Sequence, residues 1–491
     1  MDLYHLFSHV PLPLGTPHVD ITDVDITGIT SNSNDVQPGF LFVALKGTKQ
    51  DGHTYIPKAI QAGAAAILAE EGTKLPSGAK TLLITTNHTA STLAKLAMTF
   101  YGRHIPSTIV GITGTNGKTS TATFLQQLWT QEKKHAVSLG TLGLGGLTSA
   151  PDFGPILTTP DSVTLAKILA YLGEHSITHL AMEASSHGLA QHRLDGLTFK
   201  TVGFTNLTRD HLDYHPTVED YLNAKLSLLE HLEVGGPVIA NADMETSILE
   251  RITQKAHSLN LPLHTVGFKG EMIKLLNVRP LPQGQAVHLR ANGQTHQFIT
   301  PLVGHFQLQN MIMAAALSSA VETNTPIPIA LLAHLQGVKG RMELAATLPN
   351  QAAVYVDYAH TPDALMRLLQ ALRPHTAGQL IVVFGAGGDR DAGKRPLMGE
   401  IAHKFANKVI VTDDNPRSED PARIRKEILA AAPDGIEIAD RKKAIEIGLS
   451  LLKSGDILVV AGKGHEEGQI ISGQVYPFND VKAIQSLIGS P

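Results

Sequence analysis

The sequence predicts an α/β protein with mostly parallel sheets. Short apolar segments recur along its 491 residues, and each is followed by a glycine-rich or polar turn and then by a helical stretch. Continuous apolar strands that alternate with helices are typical of parallel sheets covered on both faces. A chain of this length exceeds what one hydrophobic core usually organises, so about two to four domains are expected. The clearest strand segments are AAAILAE, TLLITT, STIVGITG, HLAMEASS, TVGFTN, PVIANAD, AVYVDYA, LIVVFGAGG, KVIVTDD and ILVVAGKG.

Composition narrows the class of protein. The chain carries 40 basic and 44 acidic residues, and no basic excess indicates a nucleic-acid partner. It has no cysteine, which excludes disulfides, thiolate metal sites and cysteine nucleophiles. The first residues lack the pattern of a secretory signal, and no apolar run approaches the ~18 residues of a membrane span. We therefore expect a soluble cytoplasmic protein with no nucleic-acid partner and no membrane span.

The segment VGITGTNGKTS, residues 110–120, has the character of a phosphate-binding loop. Thr108–Thr113 is predicted to be a buried strand, and residues 119–131 are predicted to form an amphipathic helix. A glycine-rich turn between a strand and a helix directs backbone N–H groups and the positive end of the helix at an anion. The apolar side of the predicted helix carries Phe124, Leu125, Leu128 and Trp129.

The glycine spacing of this loop departs from the usual one. The standard pattern places a glycine six residues before the lysine, but Ile112 holds that position and the nearest earlier glycine is Gly111. The Gly117-Lys118-Thr119 order is as expected, so Lys118 would balance phosphate charge and the Thr119 hydroxyl could bind Mg²⁺. The alternative is a tight turn whose lysine is merely solvated. The place between strand and helix favours phosphate binding.

In nucleotide-binding proteins with such a loop, a carboxylate at the end of a neighbouring strand is expected to help bind the metal ion. Glu183 is the candidate, because the apolar run ends at Met182 and Glu183 begins the polar turn that follows. The alternative is an exposed glutamate at a strand end, which is common in proteins. The sequence therefore predicts a metal-binding role for Glu183 only in combination with the loop.

The segment FTNLTRDHLDYH brings together Asp210, His211, Asp213 and His215. The two histidines are four residues apart, a spacing that suits zinc, but the segment lacks HExxH and no third ligand is evident. A dedicated zinc site is therefore not favoured. Lys225 follows on a helix with few charges, where a lysine is usually a surface residue.

Taken together, these segments resemble the Mur ligases, the ATP-dependent amide-forming enzymes of peptidoglycan synthesis. The loop of that family is written TGTNGKT[ST], with its first glycine displaced as it is here. The resemblance covers most of the chain, and this many motifs in one order are highly specific. They are SNSNDVQPGFLFVALKG, TTPDS, EASSHGLAQHR, FTNLTRDHLDYH, Ala224-Lys225, GHFQLQN, GRME, VDYAHTPDAL, GAGGDRDAGKRPLM, DDNPR and GKGHE.

The resemblance implies three domains, with a central P-loop ATPase on a mostly parallel sheet and a C-terminal Rossmann-like domain. Two segments, YGRHIPST and LQGVKGRME, have the character of domain boundaries. We therefore expect an N-terminal UDP-binding domain over residues 1–104 and an ATP-binding domain over residues 105–337. A domain that binds the incoming amino acid would follow over residues 338–491.

The resemblance also implies the chemistry. The γ-phosphoryl group of ATP moves to the γ-carboxylate of a nucleotide-bound D-glutamate, and the amine of the incoming amino acid attacks the acyl phosphate. ATP is the co-substrate, two Mg²⁺ ions are bound, and Lys225 is carbamylated so that it becomes a metal ligand. The partners are small molecules, namely ATP, a UDP-muramoyl-dipeptide and the amino acid, and the chain is expected to be a monomer.

The functional positions of the family are carried over motif by motif. The catalytic positions are Lys118, Glu183, His211 and Lys225, and the metal ligands are Thr119, Glu183, His211 and Lys225. The ATP-binding positions are Gly114, Thr115, Asn116, Gly117, Lys118, Thr119, Ser120, Asn310, Arg341 and Asp357. The positions that contact the UDP-muramoyl-peptide are Ser31, Ser33, Thr158, Thr159, Ser185, Gln191 and Arg193.

The N-terminal segment departs from the family pattern. The family commonly has Asp-Ser-Arg before the Val-x-Pro-Gly turn, whereas this chain has Asn32-Ser33-Asn34. Without this arginine, the individual contacts to the uridine diphosphate cannot be carried over from the family. Pro38-Gly39 and the DGHTYI segment match the family pattern, so the N-terminal UDP-binding domain itself is still expected.

The segment VTDDNPRSED indicates the amino-acid substrate. Its DNPR turn follows a strand, and ligands bind at the carboxyl ends of parallel strands. Arg417 offers a planar, bidentate donor for a carboxylate, although without other context it would pair with Glu419 or Asp420. In the family, DNPR is the signature for meso-diaminopimelate, whose second carboxylate L-lysine lacks. The resemblance therefore implies meso-diaminopimelate, with L-lysine as the alternative, and the matching positions are Arg390, Asp414, Asn415, Pro416, Arg417, Gly462 and Glu466.

Three alternatives remain, two from other classes of protein and one within the same superfamily. The segment FGAGGDRD suggests a nicotinamide enzyme, but it lacks the full G-x-G-x-x-G spelling. A regulatory ATP-binding module need not keep Lys118, Glu183 and Lys225 together. A folylpolyglutamate synthetase is the closest enzymatic alternative, and both the DNPR turn and the N-terminal segment argue against it.

Overall fold

The computed structural model describes residues 1–8, 10, 23–47, 50–154, 157–208, 214–322 and 325–489. The chain forms two compact units. The first comprises Met1–Thr265 and Ala316–Thr325, and the second comprises Val266–Ala315 and Pro326–Pro491. The domain boundaries expected at residues 104/105 and 337/338 stay predictions.

The first unit begins with a four-stranded parallel sheet in the order β1–β2–β3–β4. The apolar side chains of its strands pack against those of the longest helix of this segment, α3. The strands are β1 (Gly28–Thr30), β2 (Phe40–Val43), β3 (Ala66–Ala69) and β4 (Leu82–Thr85). The helices are α1 (Leu3–Leu6), α2 (Ile56–Gln61) and α3 (Thr89–Tyr101).

The larger sheet of the first unit holds the glycine-lysine loop at its centre. Its strands are β5 (Thr108–Thr113), β6 (Ala136–Gly140), β7 (Gly143–Gly145), β8 (His179–Glu183), β9 (Thr201–Phe204), β10 (Val238–Asn241) and β11 (Leu263–Gly267). They lie in the order β11–β10–β9–β5–β8–β6–β7, and β5 pairs in parallel with β9 and β8. The helices are α4 (Lys118–Gln131), α5 (Ser162–Glu174), α6 (Ser186–Ala190), α7 (Val218–Leu226) and α8 (Thr246–Ser258).

The predicted strand and helix around the loop are confirmed. The strand is β5, with the predicted bounds, and the helix α4 begins at Lys118, one residue earlier than predicted. The four predicted apolar residues of α4, including Trp129, are fully buried. Complete burial of each such side chain contributes roughly 1.5–3 kcal/mol, so the face of α4 that packs on the sheet holds the loop in place.

The burial of His179 at the start of β8 makes stability sensitive to acid. Its ring lies against Trp129 with the centroids 4.9 Å apart, and Nδ1 is 2.8 Å from the Thr178 hydroxyl. Burial, together with the positive charge of Lys134, lowers the pKa of His179 from 6.5 to about 4. Because the folded-state pKa lies below the unfolded value, the neutral ring stabilises the fold above pH 6.5, and this stabilisation is lost as the pH falls toward 4.

We therefore expect His179→Gln to reduce the acid sensitivity of folding. Between pH 7 and pH 4.5 the free energy of unfolding of the unmodified chain should fall by about 1–3 kcal/mol more than that of the variant. Urea denaturation at several pH values measures this difference, and replacement of the exposed His334 by Gln is the control. Parallel acid profiles for the unmodified chain and His179→Gln would contradict the prediction.

The second unit contains one mostly parallel sheet and two antiparallel elements. Its strands are β12 (Ile273–Leu281), β13 (Gly284–Ala291), β14 (Gln294–Thr300), β15 (Glu343–Thr347), β16 (Ala353–Asp357), β17 (Leu380–Phe384), β18 (Lys408–Val411), β19 (Ile436–Glu437), β20 (Ile457–Ala461), β21 (Gly468–Ile471) and β22 (Gln474–Pro477). The helices that begin in it are α9 (His305–Ala320), α10 (Pro362–Leu372), α11 (Lys394–Phe405), α12 (Pro421–Leu429), α13 (Arg441–Ser450) and α14 (Asp480–Ile488).

The strand order of the main sheet in this unit places four loops at one edge of the sheet. The strands lie in the order β15–β16–β20–β17–β18–β19, and only β15 is antiparallel to its neighbour. The carboxyl ends of β16, β20, β17 and β18 therefore point the same way. They lead into the VDYAH, GKGHE, GAGGDRD and DDNPR motifs, where ligands of such sheets bind.

The α/β prediction with mostly parallel sheets is confirmed, and every predicted strand segment contains a strand. The sequence did not predict the antiparallel elements, namely the β12–β13–β14 meander, the β21–β22 hairpin and the β6–β7 and β15–β16 pairs. The Asn292-Gly293 turn was a signal for the first, since both residues have positive φ, as a tight hairpin turn requires. Across the described ranges, no helix combines the length and apolar character that a membrane span requires.

Candidate active site

Two glycines shape the loop between β5 and α4. Gly114 and Gly117 have φ angles of 148° and 87°, which favour glycine. A Cβ on Gly114 would lie 2.0 Å from the Thr205 hydroxyl, so a larger residue does not fit. Gly111 instead lies inside β5 and faces the Phe199 ring. The displaced glycine of the sequence pattern thus belongs to the strand, and Gly114 opens the loop.

The segment after β9 holds the backbone of the loop. The N–H of Thr115 donates to Asn206 O at 3.0 Å, and its hydroxyl donates to Thr208 O at 3.0 Å. The same hydroxyl lies 3.0 Å from the hydroxyl of Tyr221, while the Asn116 N–H donates to Asn206 Oδ1 at 2.9 Å. Asn206 and Tyr221 were not predicted from the sequence. They preorganise the loop, because Asn206 holds two of its peptide N–H groups and Tyr221 contacts the Thr115 hydroxyl.

Two lysines converge on the loop. Lys118 Nζ donates to Gly114 O at 2.9 Å and to Thr115 O at 3.0 Å. Lys225 Nζ donates to the same Gly114 oxygen at 2.9 Å and lies 4.6 Å from the centre of the Tyr221 ring. Only 1% of Lys225 is exposed, so the surface reading of this lysine is wrong. The structure places both amines at the point where the loop begins.

Glu183 lies beside the strand that leads into the loop. It is the last residue of β8, opposite Ile112 of β5, and only 1% of it is exposed. Glu183 therefore ends the strand and does not begin the turn that follows, and the alternative of an exposed glutamate is wrong. Its Oε1 accepts the Thr141 N–H at 2.8 Å, and a Cβ on Gly140 would lie 2.0 Å from the same oxygen. The backbone after β6 thus comes close to the carboxylate and orients it.

The residues predicted to contact the muramoyl-peptide form a connected group around Glu183. Thr159 Oγ1 donates to Glu183 O at 2.9 Å and accepts the Ser185 N–H at 2.9 Å. Arg193 donates to Thr159 O at 2.6 Å and to Gln191 Oε1 at 2.6 Å. Thr158 joins the group through Thr141, whose hydroxyl lies 3.0 Å from its own and which the sequence did not single out. The structure therefore brings these predicted residues together.

The donor atoms near the loop suit Mg²⁺. The Thr119 hydroxyl and the Glu183 carboxylate are hard oxygen donors, and both side chains are buried. Among the described residues, no three His, Asp or Glu side chains cluster as a metal site by themselves. His211, like Asp210 and Asp213, lies outside the described residues. The donor set fits an ion that takes its remaining ligands from phosphate oxygens and water.

The N-terminal departure from the family pattern has a local structure. Ser33 is buried, and the N–H of Asn34 donates to Asn32 Oδ1 at 3.1 Å. Lys58 Nζ donates to Asn34 Oδ1 at 2.5 Å. A lysine thus lies beside the position where the family commonly has arginine. Ser31 is half-buried at the end of the neighbouring β1.

The remaining predicted ATP positions lie together in the second unit. Asn310 donates to Gln307 Oε1 at 3.4 Å, and Gln307 donates to Arg341 O at 2.9 Å. Asp357 accepts the Met342 N–H at 2.7 Å, and burial raises its pKa although Arg341 opposes that shift. The sequence did not predict Gln307, which connects Asn310 with the backbone of Arg341.

The loops after β17 and β18 contact each other through glycine. The N–H of Gly388 donates to Asn415 O at 2.9 Å, and a Cβ on Gly388 would lie 1.9 Å from Pro416 O. A Cβ on Gly387 would lie 2.8 Å from an Arg417 nitrogen. The glycines of GAGG therefore allow close approach of the DNPR turn, which gives them a role unrelated to the nicotinamide reading.

Arg417 does not form the ion pairs considered from the sequence. Its Nη1 donates to Gly388 O at 2.7 Å, whereas the carboxylate of Glu419 accepts from the buried Arg395 at 2.9 Å. Asp420 caps α12 and accepts the Ala422 N–H. In the part of the chain that the structure describes, the half-buried Arg417 guanidinium has no ion-pair partner. The pairing of Arg417 with Glu419 or Asp420 is therefore wrong.

A buried polar group connects the DNPR and GKGHE motifs. Asn415 Nδ2 donates to Glu466 Oε2 at 3.0 Å, and Lys463 Nζ donates to both side chains. Gly462 has a φ of 116°, and a Cβ there would lie 2.5 Å from Asp414 Oδ2. The sequence did not single out Lys463. Arg390 is exposed, but its Cγ would lie 3.8 Å from a Cβ on Gly387, the same position that Arg417 approaches.

Comparison with known protein families agrees with this arrangement. The chain matches "Mur ligase middle domain" over residues 112–318, "Mur ligase, glutamate ligase domain" over 340–464 and "Mur ligase family, catalytic domain" over 25–101. The UDP-N-acetylmuramoyl-L-alanyl-D-glutamate–2,6-diaminopimelate ligase of Caulobacter vibrioides is 46% identical over 95% of this chain and 96% of its own. The chain belongs to the Mur ligase family. Like the family, it is an ATP-dependent ligase that forms an amide bond.

Two further relatives of this Mur ligase carry the same name. The protein from Rhizobium meliloti is 45% identical over 96% of both chains. A solved structure of a UDP-N-acetylmuramoyl-L-alanyl-D-glutamate–2,6-diaminopimelate ligase superposes with a TM-score of 0.70 at 31% identity and covers 94% of both chains. The architecture and the order of motifs are therefore those of the family along nearly the whole chain.

Proposed function

We propose that this Mur ligase joins meso-diaminopimelate to the γ-carboxylate of the D-glutamate in UDP-N-acetylmuramoyl-L-alanyl-D-glutamate, in the cytoplasm and as a monomer. The relatives named for this reaction cover almost the entire chain. The observation that carries the proposal is the edge formed by the DNPR and GKGHE loops. There, the half-buried Arg417 guanidinium has no ion-pair partner among the described residues, and Asn415, two positions earlier, donates to Glu466.

That edge offers complementary groups for a distal amino-acid moiety. Arg417 can donate two parallel hydrogen bonds to a carboxylate, and Glu466 can accept from an ammonium group. meso-Diaminopimelate carries both groups at its far end, whereas L-lysine carries only the ammonium. A carboxylate partner for Arg417 therefore favours meso-diaminopimelate over L-lysine.

The first chemical step would take place at the loop of the first unit. Lys118 and the N–H groups at the start of α4 would hold the phosphates of ATP, while the group formed by Thr159, Ser185 and Arg193 would orient the muramoyl-peptide beside Glu183. The γ-carboxylate of the D-glutamate attacks the γ-phosphorus, ADP leaves and an acyl phosphate forms. The amine of meso-diaminopimelate then attacks the acyl carbon, and the tetrahedral intermediate expels inorganic phosphate.

Two Mg²⁺ ions and a carbamylated Lys225 complete the proposal. Thr119 and Glu183 would hold the metal with phosphate oxygens, and His211 and the Lys225 carbamate would supply further ligands. Bound Mg²⁺ neutralises phosphate charge. Lys118 and Lys225 both donate to Gly114 O, so a carbamate at Lys225 would replace two adjacent positive charges by opposite charges.

Release of inorganic phosphate tests the reaction class. We expect release only when ATP, UDP-N-acetylmuramoyl-L-alanyl-D-glutamate and meso-diaminopimelate are all present, because the acyl phosphate forms on the dipeptide and is consumed by the amine. Omission of each component in turn is the control. Phosphate release with a folate and glutamate in place of the muramoyl substrates would instead support a folylpolyglutamate-synthetase-like ligase.

A further inference from the structure

Lys463 is a fully buried lysine at the carboxyl end of β20. Its Nζ donates to Asn415 Oδ1 at 3.0 Å and to Glu466 Oε2 at 2.8 Å. A buried ammonium is costly unless hydrogen bonds and an opposite charge compensate it. Asn415 and Glu466 supply that compensation, and both belong to the edge assigned above to the distal end of the amino acid.

Lys463 determines which atoms of its two partners remain for a substrate. Glu466 Oε2 accepts from Lys463 and from Asn415 Nδ2, while Asn415 Oδ1 accepts from Lys463 and from the Ile470 N–H at 2.9 Å. Among the described residues, Glu466 Oε1 accepts no hydrogen bond. The lysine thus holds one carboxylate oxygen, so that the other is available in a defined orientation.

We propose that Lys463 is a positioning residue for recognition of the distal ammonium group of the amino-acid substrate. It acts through Glu466, whose carboxylate it orients by a hydrogen bond to Oε2, and does not itself contact the reacting atoms. This inference rests on the proposed function. It assigns a role in amino-acid selectivity to Lys463, which contacts Glu466 and not the substrate.

A substrate analogue separates this role from a general structural one. 2-Aminopimelate has both carboxylates and the reacting amine of meso-diaminopimelate but lacks the distal amine. Lys463→Met should lower kcat/KM for meso-diaminopimelate by ~30-fold or more while it changes kcat/KM for 2-aminopimelate less than ~3-fold. The KM for ATP should stay unchanged. An equal loss for both amino acids would overturn the proposal.

Two further variants keep the test decisive. In the Glu466→Gln background, Lys463→Met should cause little additional loss, because the two residues act as one unit. Lys482→Met is the matched control, since Lys482 forms a 2.8 Å pair with Glu467 at the surface, and it should leave both substrates unaffected. If Lys463→Met does not fold, Lys463→Gln is measured instead, because its amide can still donate inside the group without the charge.

The outcomes distinguish failure of the proposed function from failure of the proposed role of Lys463. Failure of the unmodified enzyme to use meso-diaminopimelate would refute the proposed function itself. Normal use of meso-diaminopimelate, combined with additive losses in the Lys463→Met and Glu466→Gln cycle, would refute only the role of Lys463.

Discussion

Lys225→Ala is expected to reduce turnover by at least ~10³-fold, because it removes both the buried amine and any carbamate formed on it. The Nζ atom lies 2.9 Å from the oxygen of Gly114, the residue that opens the phosphate loop. Alanine leaves no group at this point that could bind metal or neutralise the charge of Lys118. Phosphate release under saturating substrates measures the loss.

The carbamate can be tested separately from the lysine. Added bicarbonate should not restore the alanine variant, whereas a short carboxylic acid such as formate should restore part of its turnover by replacing the lost carboxylate. Lys255→Ala is the control, since Lys255 pairs with Glu230 at the surface of α8. Unchanged turnover in Lys225→Ala, with an unchanged melting temperature, would refute a role for Lys225 in catalysis.

Arg417→Ala should lower kcat/KM for meso-diaminopimelate by an amount that corresponds to ~2–5 kcal/mol, because the distal carboxylate loses its charged partner. The KM for ATP should remain the same, since the predicted ATP-binding positions belong to other loops. Among the described residues the Arg417 side chain donates only to Gly388 O, so its truncation breaks one side-chain hydrogen bond and leaves the backbone bond to Ile470 O. The variant should therefore fold.

A second arginine on the neighbouring helix provides the control for this variant. Arg423 is exposed on α12 and pairs with Glu427, so Arg423→Ala should leave the selectivity between meso-diaminopimelate and L-lysine intact. Arg417→Ala, in contrast, should use the two amino acids with more similar kcat/KM values. An Arg417→Ala variant that keeps the full selectivity would show that another residue binds the second carboxylate.

Local patterns in the sequence were sufficient to predict the elements that carry the site. The β5 strand and the α4 helix follow from an apolar run, a glycine turn and helical periodicity, all within residues 108–131. The parallel sheets follow from repeated apolar strands that alternate with helices. The β12–β13–β14 meander was missed because its strands mix polar with apolar residues and do not form continuous apolar runs. The β21–β22 hairpin was missed because its strands are short and largely exposed.

Burial and pairing of charged residues could not be predicted from local patterns. Glu183 and Lys225 resemble surface residues in isolation, and they are buried because the backbone after β6 and the loop after β5 pack against them. Arg395 pairs with Glu419, twenty-four positions later, and with Glu427, while Arg417 donates to Gly388 O. Such choices depend on how distant loops meet at the edge of a sheet.

The most direct test of the proposed function is the ratio of kcat/KM for meso-diaminopimelate to that for L-lysine in the unmodified enzyme. Both are measured by phosphate release with ATP and UDP-N-acetylmuramoyl-L-alanyl-D-glutamate. If Arg417 binds the second carboxylate, the ratio should exceed ~30, since loss of a charged partner costs at least ~2 kcal/mol. Equal values of kcat/KM for the two amino acids would contradict the assignment.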